Sequence, residues 1–535
     1  MSGRTKKSWD GVNALYQVYI RSFRDTDADG VGDLAGVTER LDYLRSGKDS
    51  LGVDALLLTP FYESPMVDFG YDITNHCMVD PQFGTMKDFD KLIKEAHKRG
   101  IKVMVDIIPN HTSDQHPWFI ESRSSRDSPK RDWYIWHDPA KGMVPPNNWQ
   151  SKFGGSVWEY DELTEQYYYH TFFTEQPDLN WENTEVRQAI RDICSFWLDR
   201  GADGLRVDAA IYLSKDLSFQ DDPDDGNGNI LERGMSYGDR QAEYLREMTQ
   251  LAHDHKDAIV LLEAYPEGRQ QTALRYRDLV AVDDDHAAPL VVEGMWLPFE
   301  APAFRDFLSS VMLAVDPKYH MPIFCFGNHD NQRLVSKFGN EQARAIAIIQ
   351  MTLPGLPLIY YGEEIGMTNS HKVRANRADG ATQSHMPAGR GVVRTPMQWD
   401  SSRYAGFSDG VPWLPHHAGA GNTVIAQVED ADSFLNLYRR LLELRRNSPA
   451  LRSGSFVLDD TQEQVLVYSR KYQSDEYITV VNMSTEPIVY SFDLPVVVVV
   501  ASHPADHPYV FDYTSVQLQP NEAVVLKQEV AQDHD

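Results

Sequence analysis

Four carboxylic acids stand at the ends of short apolar runs, where strands would finish. Asp106 closes VMVD, Asp208 closes GLRVD, Glu263 closes IVLLE and Asp330 closes FCFGNHD. In a barrel of parallel strands the C-terminal strand ends face the substrate, so acids on four strands would meet there. Converging carboxyl groups suit metal-assisted chemistry or glycoside cleavage, in which one acid is protonated while another is ionised.

Two histidines beside these acids help to separate the two chemistries. His111 ends the run DIIPNH that begins at Asp106, and His329 directly precedes Asp330. Neither histidine belongs to an HxxxH or HxH pair, the spacing that metal catalysis would lead us to expect. The spacing therefore favours glycoside cleavage.

The elements that would position the acids alternate in type from about residue 14 to residue 366. Short β-branched or leucine-rich runs alternate with amphipathic stretches, which predicts repeated strand–helix units and a parallel sheet. Thr85, Asp88 and Gly100 suit the start and the end of one such helix. Eight strands, the number that a closed (β/α)8 TIM barrel needs, are predicted at Ala14–Ile20, Val53–Leu58, Val103–Ile108, Gly204–Val207, Ile259–Glu263, Leu290–Gly294, Pro322–Phe326 and Leu358–Tyr361.

Two long excursions and a change of pattern divide the chain. The first excursion is rich in Trp, Tyr, Pro and Gly, and the last segment alternates like strands without a helical stripe. Both excursions should border the active site because they leave the C-terminal face of the barrel. The predicted parts are barrel 1–110, inserted subdomain 111–180, barrel 181–455 with an excursion over about 367–425, and a C-terminal antiparallel β-sandwich 456–535.

Composition narrows the partners and the compartment. The 535 residues carry 79 acidic against 51 basic side chains, and the resulting charge of −28 disfavours nucleic acid and anionic membrane surfaces. Cys77, Cys194 and Cys325 lie far apart and predict free thiols in a reducing compartment. Because no apolar run is long enough to span a bilayer, the expected location is the cytoplasm. The oligomeric state stays open.

Five motifs, taken together, resemble those of the α-amylase family over nearly the whole chain. They read DIIPNH from Asp106, QPDLN from Gln176, GLRVDAA from Gly204, LLEAYPE around Glu263 and FGNHD from Phe326. The resemblance implies a retaining glycoside hydrolase of the α-glucosidase branch. It assigns Asp208 as nucleophile, Glu263 as general acid/base, and Asp330 as a third essential carboxylate that grips the sugar hydroxyls.

The neighbours of these acids suit the assigned roles. Arg206 lies two residues before Asp208 on the same strand face and can stabilise it as an anion. The apolar run before Glu263 predicts a desolvated setting. The resemblance implies that His111 and His329 donate hydrogen bonds to the bound glucose, the alternative being core histidines satisfied by backbone carbonyls.

An exo-acting pocket also follows from the resemblance. Asp68 and Tyr71 in VDFGYD match residues of the exo-acting glucosidases, whose Tyr ring forms a platform under the terminal sugar. We expect Arg394, with Arg390 as second choice, to pair with Asp68 and block the pocket behind the released glucose. A solvated loop is the alternative for this arginine pair.

Substrate preference is read from fewer residues. Phe153 and Phe172 match positions that line the next sugar subsite, with packing inside the insertion as the alternative. Ala209 directly follows the nucleophile, where relatives tend to have Val for α-1,6 bonds and Ala or Thr for α-1,4 bonds. It predicts maltose and short malto-oligosaccharides as substrates, and leaves sucrose-like or α-1,6 activity, as in an oligo-1,6-glucosidase, open.

Two other functions compete with hydrolysis. A sugar hydroxyl could intercept the glucosyl-enzyme, as in trehalose synthase or sucrose isomerase, with the same catalytic residues. A non-catalytic ancillary subunit of amino-acid transporters could share the barrel, but such chains carry a membrane span and lack the full set of acids. This chain has all three acids and no such span.

An acidic run near the start of the chain predicts a cation site. DTDADGVGD offers alternating oxygen ligands that suit Ca²⁺ or Mg²⁺, with Gly30 allowing the turn. The run is not a full EF-hand, because no Glu follows at the twelfth position. The resemblance implies a structural ion, and an acidic turn is the alternative. The predicted ligands are Asp25, Asp27, Asp29, the Val31 carbonyl and Asp33.

Overall fold

The computed structural model describes residue 9 and residues 11–47, 49–224, 226, 230–236, 238–255, 258–265, 278–279, 286–317, 320–371, 390–416, 421–504 and 513–528. Within these residues eight parallel strands close into a barrel, which confirms the predicted fold class. Neighbouring strands follow chain order, and the first pairs with the last. The strands are β1 (Leu15–Val18), β2 (Ala55–Leu58), β3 (Lys102–Ile107), β4 (Gly204–Val207), β5 (Ile259–Glu263), β6 (Ala287–Val291), β7 (Ile323–Cys325) and β8 (Leu356–Tyr360).

The sixth strand departs most from its predicted position. It begins at Ala287, three residues before the predicted start, and Glu293–Met295 form a 3-10 turn instead of its end. Ala287 and Ala288 pair in register with Val260 and Leu261 of β5. Alanine has a weak β propensity of its own, so pairing and burial decide the strand here.

Helices surround the barrel and follow the predicted boundaries where these were readable. The Thr85 N–H donates to the Asp88 carboxylate at 2.9 Å at the start of the second helix, and Gly100 takes the left-handed conformation (φ 69°) after its end. The helices are α1 (Leu34–Glu39), α2 (Met86–Lys98), α3 (Pro117–Arg123), α4 (Thr184–Asp199), α5 (Gln241–Asp254), α6 (Ala301–Ala314), α7 (Leu334–Thr352, kinked at Gly339), α8 (Arg390–Val393), α9 (Val424–Val428), α10 (Phe434–Asn447) and α11 (Pro449–Ser453).

The segment inserted after β3 forms a small sheet beside the barrel mouth. Trp149, Trp158 and Tyr169 of this segment belong to one apolar cluster, which Met235 from the segment after β4 completes. The Leu179 N–H donates to the Asn110 carbonyl at 2.8 Å, so the far end of the segment returns to the end of β3. Its antiparallel strands are Trp136–His137, Trp158–Asp161 and Gln166–Tyr169, and a further strand pair, Tyr62–Glu63 with Asn75–Val79, follows β2.

The C-terminal region is antiparallel, as predicted. Its six described strands form one continuous ladder in which the first three are neighbours in chain order and the sixth, the fourth and the fifth follow. Tyr468 of this sheet bonds Thr352 of α7 through their hydroxyl groups at 2.6 Å, which fixes the sheet to the barrel. The strands are β9 (Ser455–Asp459), β10 (Val465–Tyr472), β11 (Asp475–Asn482), β12 (Ile488–Ala501), β13 (Tyr513–Leu518) and β14 (Ala523–Gln528).

Several other expectations can be compared with the described residues. Cys77, Cys194 and Cys325 are free, as predicted. Among the described helices, none combines the length and the apolarity needed to cross a membrane. The predicted excursion over about 367–425 lies partly outside the described residues.

Candidate active site

A pocket of about 420 Å³ opens where the barrel strands end. Arg206 and Arg394 lie behind its wall through contacts with Asp208 and Asp330. The pocket therefore brings together acids and neighbours that are widely separated in the sequence. Its predicted lining residues are Asp68, Tyr71, His111, Phe153, Phe172, Asp208, Ala209, Glu263, His329, Asp330 and Arg390.

One guanidinium holds three of the acids together. The buried Arg206 lies 3.1 Å from Asp208 Oδ1 and 2.5 Å from Glu263 Oε1, and it also contacts Asp106. These side chains meet because β3, β4 and β5 are neighbours and Asp106 pairs in register with Arg206. The contact with Asp208 was predicted, whereas those with Asp106 and Glu263 were not.

In the described part of the chain, Arg206 is the cation that these three buried carboxyl groups share. Burial raises the pKa of Asp208 well above its ordinary value against the pull of Arg206, and Glu263 and Asp106 add to the rise. Burial likewise raises the pKa of Asp106 to about 6 against the pull of Arg206. Asp208 and Asp106 therefore hold their protons to a higher pH than a solvated aspartate does.

The residue after Asp208 fixes the second oxygen of Glu263. Ala209 takes the left-handed conformation (φ 50°), and its N–H donates to Glu263 Oε2 at 3.1 Å. A non-glycine residue held there costs about 1–3 kcal/mol, and such strain concentrates at functional sites. The sharp turn after β4 thus brings Asp208 and Glu263 to one wall of the pocket.

The other charged wall is built from Asp68, Asp330 and two arginines. Arg390 reaches Asp68 at 3.0 Å and Asp330 at 2.6 Å. The expectation that Arg394 is the first partner of Asp68 is wrong, because Arg394 instead contacts Asp330 at 2.7 Å and the His329 carbonyl at 2.8 Å. Arg394 is fully buried behind the pocket, whereas Arg390, at the start of α8, lines it.

Asp330 has the opposite electrostatic setting to Asp208. Burial disfavours its ionised form, but Arg390, His329 and Arg394 outweigh burial and lower the pKa of Asp330 below its ordinary value. Two guanidinium groups contact this one carboxylate directly. Asp330 is therefore ionised at neutral pH and suited to accept hydrogen bonds from sugar hydroxyls.

The two histidines are buried and neutral. Burial lowers the pKa of His111 and of His329, in spite of nearby carboxylates. His329 Nε2 lies 2.9 Å from the Tyr71 hydroxyl and 3.2 Å from Asp330 Oδ2, and its ring stacks on Tyr71. His111 Nε2 lies 3.1 Å from the Tyr71 carbonyl, the kind of contact expected of a core histidine, although His111 also lines the pocket.

Sequence reasoning missed five lining residues. Asn331 directly follows Asp330, and Tyr265 lies two residues after Glu263, so their spacing offered a signal. Trp296 was missed because the sixth strand was predicted to end at Gly294, whereas it ends at Val291 and a 3-10 turn precedes Trp296. Lys152 and Tyr212 lie on the insertion and after β4, where no pattern indicated their direction. All five belong to the described lining of the pocket.

The acidic loop brings three of its predicted ligands together. Ligand oxygens of Asp25, Asp27 and Asp29 all lie within 4.8 Å of one another, which fits a hard cation. Asp33 lies outside this group, because its carboxylate begins α1 by accepting from the Gly36 N–H at 2.6 Å and also binds Thr26. Val31 donates its N–H to Asp29 at 2.7 Å.

Comparisons with known proteins find a family model and relatives that cover most of the chain. A family model described as the catalytic domain of α-amylase matches residues 17–454. The chain is 36% identical to an oligo-1,6-glucosidase of Heyndrickxia coagulans (91% of this chain, 94% of the relative) and 37% identical to an α-glucosidase of Pediococcus pentosaceus (86% and 88%). The solved trehalulose synthase of Pseudomonas mesoacidophila MX-45 superposes with a TM-score of 0.87 at 34% identity (98% and 100%).

Proposed function

This chain belongs to the α-amylase family of glycoside hydrolases, and from that premise we propose that it is a retaining, exo-acting α-glucosidase. The observation that carries the proposal is the contact of Asp208 and Glu263 with one guanidinium in a pocket walled by Asp330 and Arg390. The substrates are short α-glucosides, from which one glucose is released at a time.

The proposed reaction uses the two acids in turn. Glu263 donates its proton to the glycosidic oxygen while Asp208 attacks the anomeric carbon, which breaks the glycosidic bond and forms a covalent glucosyl-enzyme. Glu263 then takes a proton from water, whose oxygen displaces Asp208. Arg206 contacts both acids and stabilises the anionic form of Asp208 that attacks the sugar.

Exo attack is supported by the charged wall. Arg390 bridges Asp68 and Asp330, so these three side chains form a closed network around the place assigned to the terminal glucose. Tyr71 and the neutral His329 add hydrogen-bonding groups to the same wall. Such a wall leaves no room for a polymer to extend past the terminal sugar, and starch should be a poor substrate.

Ala209 supports α-1,4 bonds as the preferred linkage, while the relatives named oligo-1,6-glucosidase support α-1,6 bonds as the alternative. Glucosyl transfer or isomerisation is the second candidate function, because the chain superposes on a trehalulose synthase over nearly its full length. Product analysis with maltose, isomaltose, sucrose, trehalose and starch tests these choices. Free glucose, mainly from maltose, is expected. An isomerised disaccharide as the main product would overturn hydrolysis.

A structural cation is proposed for Asp25, Asp27 and Asp29, and Ca²⁺ or Mg²⁺ would balance their crowded negative charge. Chelation should lower Tm, and adding back Ca²⁺ or Mg²⁺ should restore it. In Asp27→Asn the chelator should have little effect. An unchanged Tm of the native protein after chelation would reduce this loop to an acidic turn.

A further inference from the structure

A large aromatic side chain is half exposed at the pocket. Trp296 is 50% exposed, although it lines the same cavity as Glu263 and Asp330. Trp296 follows the 3-10 turn Glu293–Met295 after β6, and its backbone N–H donates to the Glu293 carbonyl at 3.0 Å. An indole kept partly in water at a pocket wall offers a flat apolar surface for a ligand.

The indole is held at one edge. Its Nε1 donates to Asn331 Oδ1 at 3.2 Å. The amide of Asn331 is itself oriented, because its Nδ2 donates to Asn328 Oδ1 at 3.0 Å. Tyr265 packs against Trp296 with ring centroids 5.9 Å apart. The ring is thus positioned before any ligand arrives, which reduces the entropy lost on binding.

The position of Trp296 relative to Glu263 indicates which part of the substrate it meets. The Tyr265 hydroxyl lies 3.4 Å from Glu263 Oε1, so the Tyr265–Trp296 pair adjoins the predicted acid/base. The acid/base must face the glycosidic oxygen, beyond which the leaving group lies. The groups assigned to glucose, by contrast, gather around Asp330 and Arg390.

Charge on the lining favours a neutral leaving group. Lys152 and Arg390 are the arginine and lysine side chains among the described lining residues. Lys152 contacts the Glu232 carboxylate, and Arg390 contacts Asp68 and Asp330. Both cations are therefore already compensated, and a phosphorylated leaving group would find no unpaired positive charge on these two residues.

We propose that Trp296, supported by Tyr265 and Asn331, is the specificity-determining platform for the leaving group, and that it selects a neutral group with a flat apolar face. This inference rests on the proposed function. A phenyl ring of an aryl α-glucoside, or the CH face of a second pyranose, has the required shape. A methyl group is too small to cover the indole.

The test compares 4-nitrophenyl α-glucoside with methyl α-glucoside in Trp296→Ala, Trp296→Phe and the control Leu313→Ala, an exposed position on α6. In Trp296→Ala we expect KM for the aryl substrate to rise about tenfold with kcat retained, and kcat/KM for the methyl substrate to stay unchanged. Trp296→Phe should keep most of the aryl preference, and Leu313→Ala should equal the native protein.

The outcomes separate the two claims. An equal change of kcat/KM for both substrates in Trp296→Ala, or none for either, would overturn the platform while leaving glucosidase activity intact. Failure of the native protein to release glucose from either substrate would refute the proposed function and, with it, this inference.

Discussion

The two charged walls of the pocket differ in how many cations serve their carboxyl groups. Arg390 contacts both Asp68 and Asp330, and Arg394 contacts Asp330, so two carboxylates meet two guanidinium groups. Around Arg206, three carboxyls meet one guanidinium. With two cations beside it, Asp330 stays ionised and suits substrate binding, whereas the crowding of carboxyls around Arg206 goes with raised pKa values for Asp208 and Asp106.

The same contrast appears in the pKa shifts. The balanced wall, made of Asp68, Asp330, Arg390 and Arg394, lowers the pKa of Asp330. The crowded wall, made of Asp106, Asp208, Glu263 and Arg206, raises the pKa of Asp208 and of Asp106. Both walls are buried, so burial alone cannot explain the opposite directions. The ratio of cations to carboxyls accounts for the opposite directions, which fit the proposed roles of Asp330 in binding and of Asp208 in the reaction.

The largest effect is expected on the crowded wall. Asp208→Asn should lower kcat for glucose release about 10⁴-fold or more, because an amide cannot form the glucosyl-enzyme. Tm should stay within a few degrees, since the change also relieves crowding among the carboxyls. Activity within tenfold of the native value would show that Asp208 is not the nucleophile.

Replacing Arg206, the cation of the crowded wall, should have the next largest effect. Arg206→Met leaves three buried carboxyls without this counterion, so the anionic form of Asp208 that the proposed reaction needs would lose its stabilisation. We expect kcat/KM to fall about 10³-fold and Tm to drop. Arg206→Lys, measured beside it, should recover part of both losses. If the methionine variant kept its activity, the crowded wall would not depend on charge.

The balanced wall should respond in binding rather than in chemistry. Arg390→Gln removes the bridge between Asp68 and Asp330, so KM should rise enough to lower kcat/KM about 100-fold at nearly constant Tm. Arg394→Gln is the matched comparison and should mainly lower Tm, since Arg394 is fully buried and bonds the His329 carbonyl. If Arg394→Gln raised KM while Arg390→Gln mainly lowered Tm, Arg394 would be the residue that closes the pocket.

The smallest effect concerns stability against pH. With its pKa raised from 3.8 to about 6, folded Asp106 binds its proton more tightly than the unfolded chain does, so its contribution falls as pH rises through that window. Asp106→Asn should therefore have the flatter Tm profile between pH 4 and 6, by about 1–2 °C. Asp330→Asn should differ in the opposite window, with the flatter Tm profile below pH 3.8, because a lowered pKa stabilises the fold above pH 3.8 and this effect is lost in acid. If both variants ran parallel to the native protein in both windows, the contrast between the walls would be contradicted.

The strands and their acids were predictable because each follows a local signal. Asp106, Asp208 and Glu263 close apolar runs, and parallel strands of a barrel place such ends at one face. β4 and β5 have the bounds that the sequence predicts. The sixth strand was misplaced because Ala287 and Ala288 owe their strand conformation to pairing with β5, which a single run of residues does not reveal.

The site was less predictable where contacts join distant segments. Two arginines four residues apart match the same pattern, and only the position of α8 decides that Arg390 reaches Asp68. Asp33 continued the alternation of acidic ligands, yet the start of α1 engages its carboxylate. Trp296 lies in no motif, and its direction depends on the turn after β6.

The stereochemistry of the first product shows whether the reaction passes through a glucosyl-enzyme. Proton NMR, recorded within seconds of adding enzyme to an α-glucoside, distinguishes the two anomers of free glucose before mutarotation mixes them. Double displacement through Asp208 predicts α-glucose first, followed by slow appearance of the β anomer. β-Glucose as the first product would exclude a covalent glucosyl-enzyme and, with it, the role of Asp208 as nucleophile.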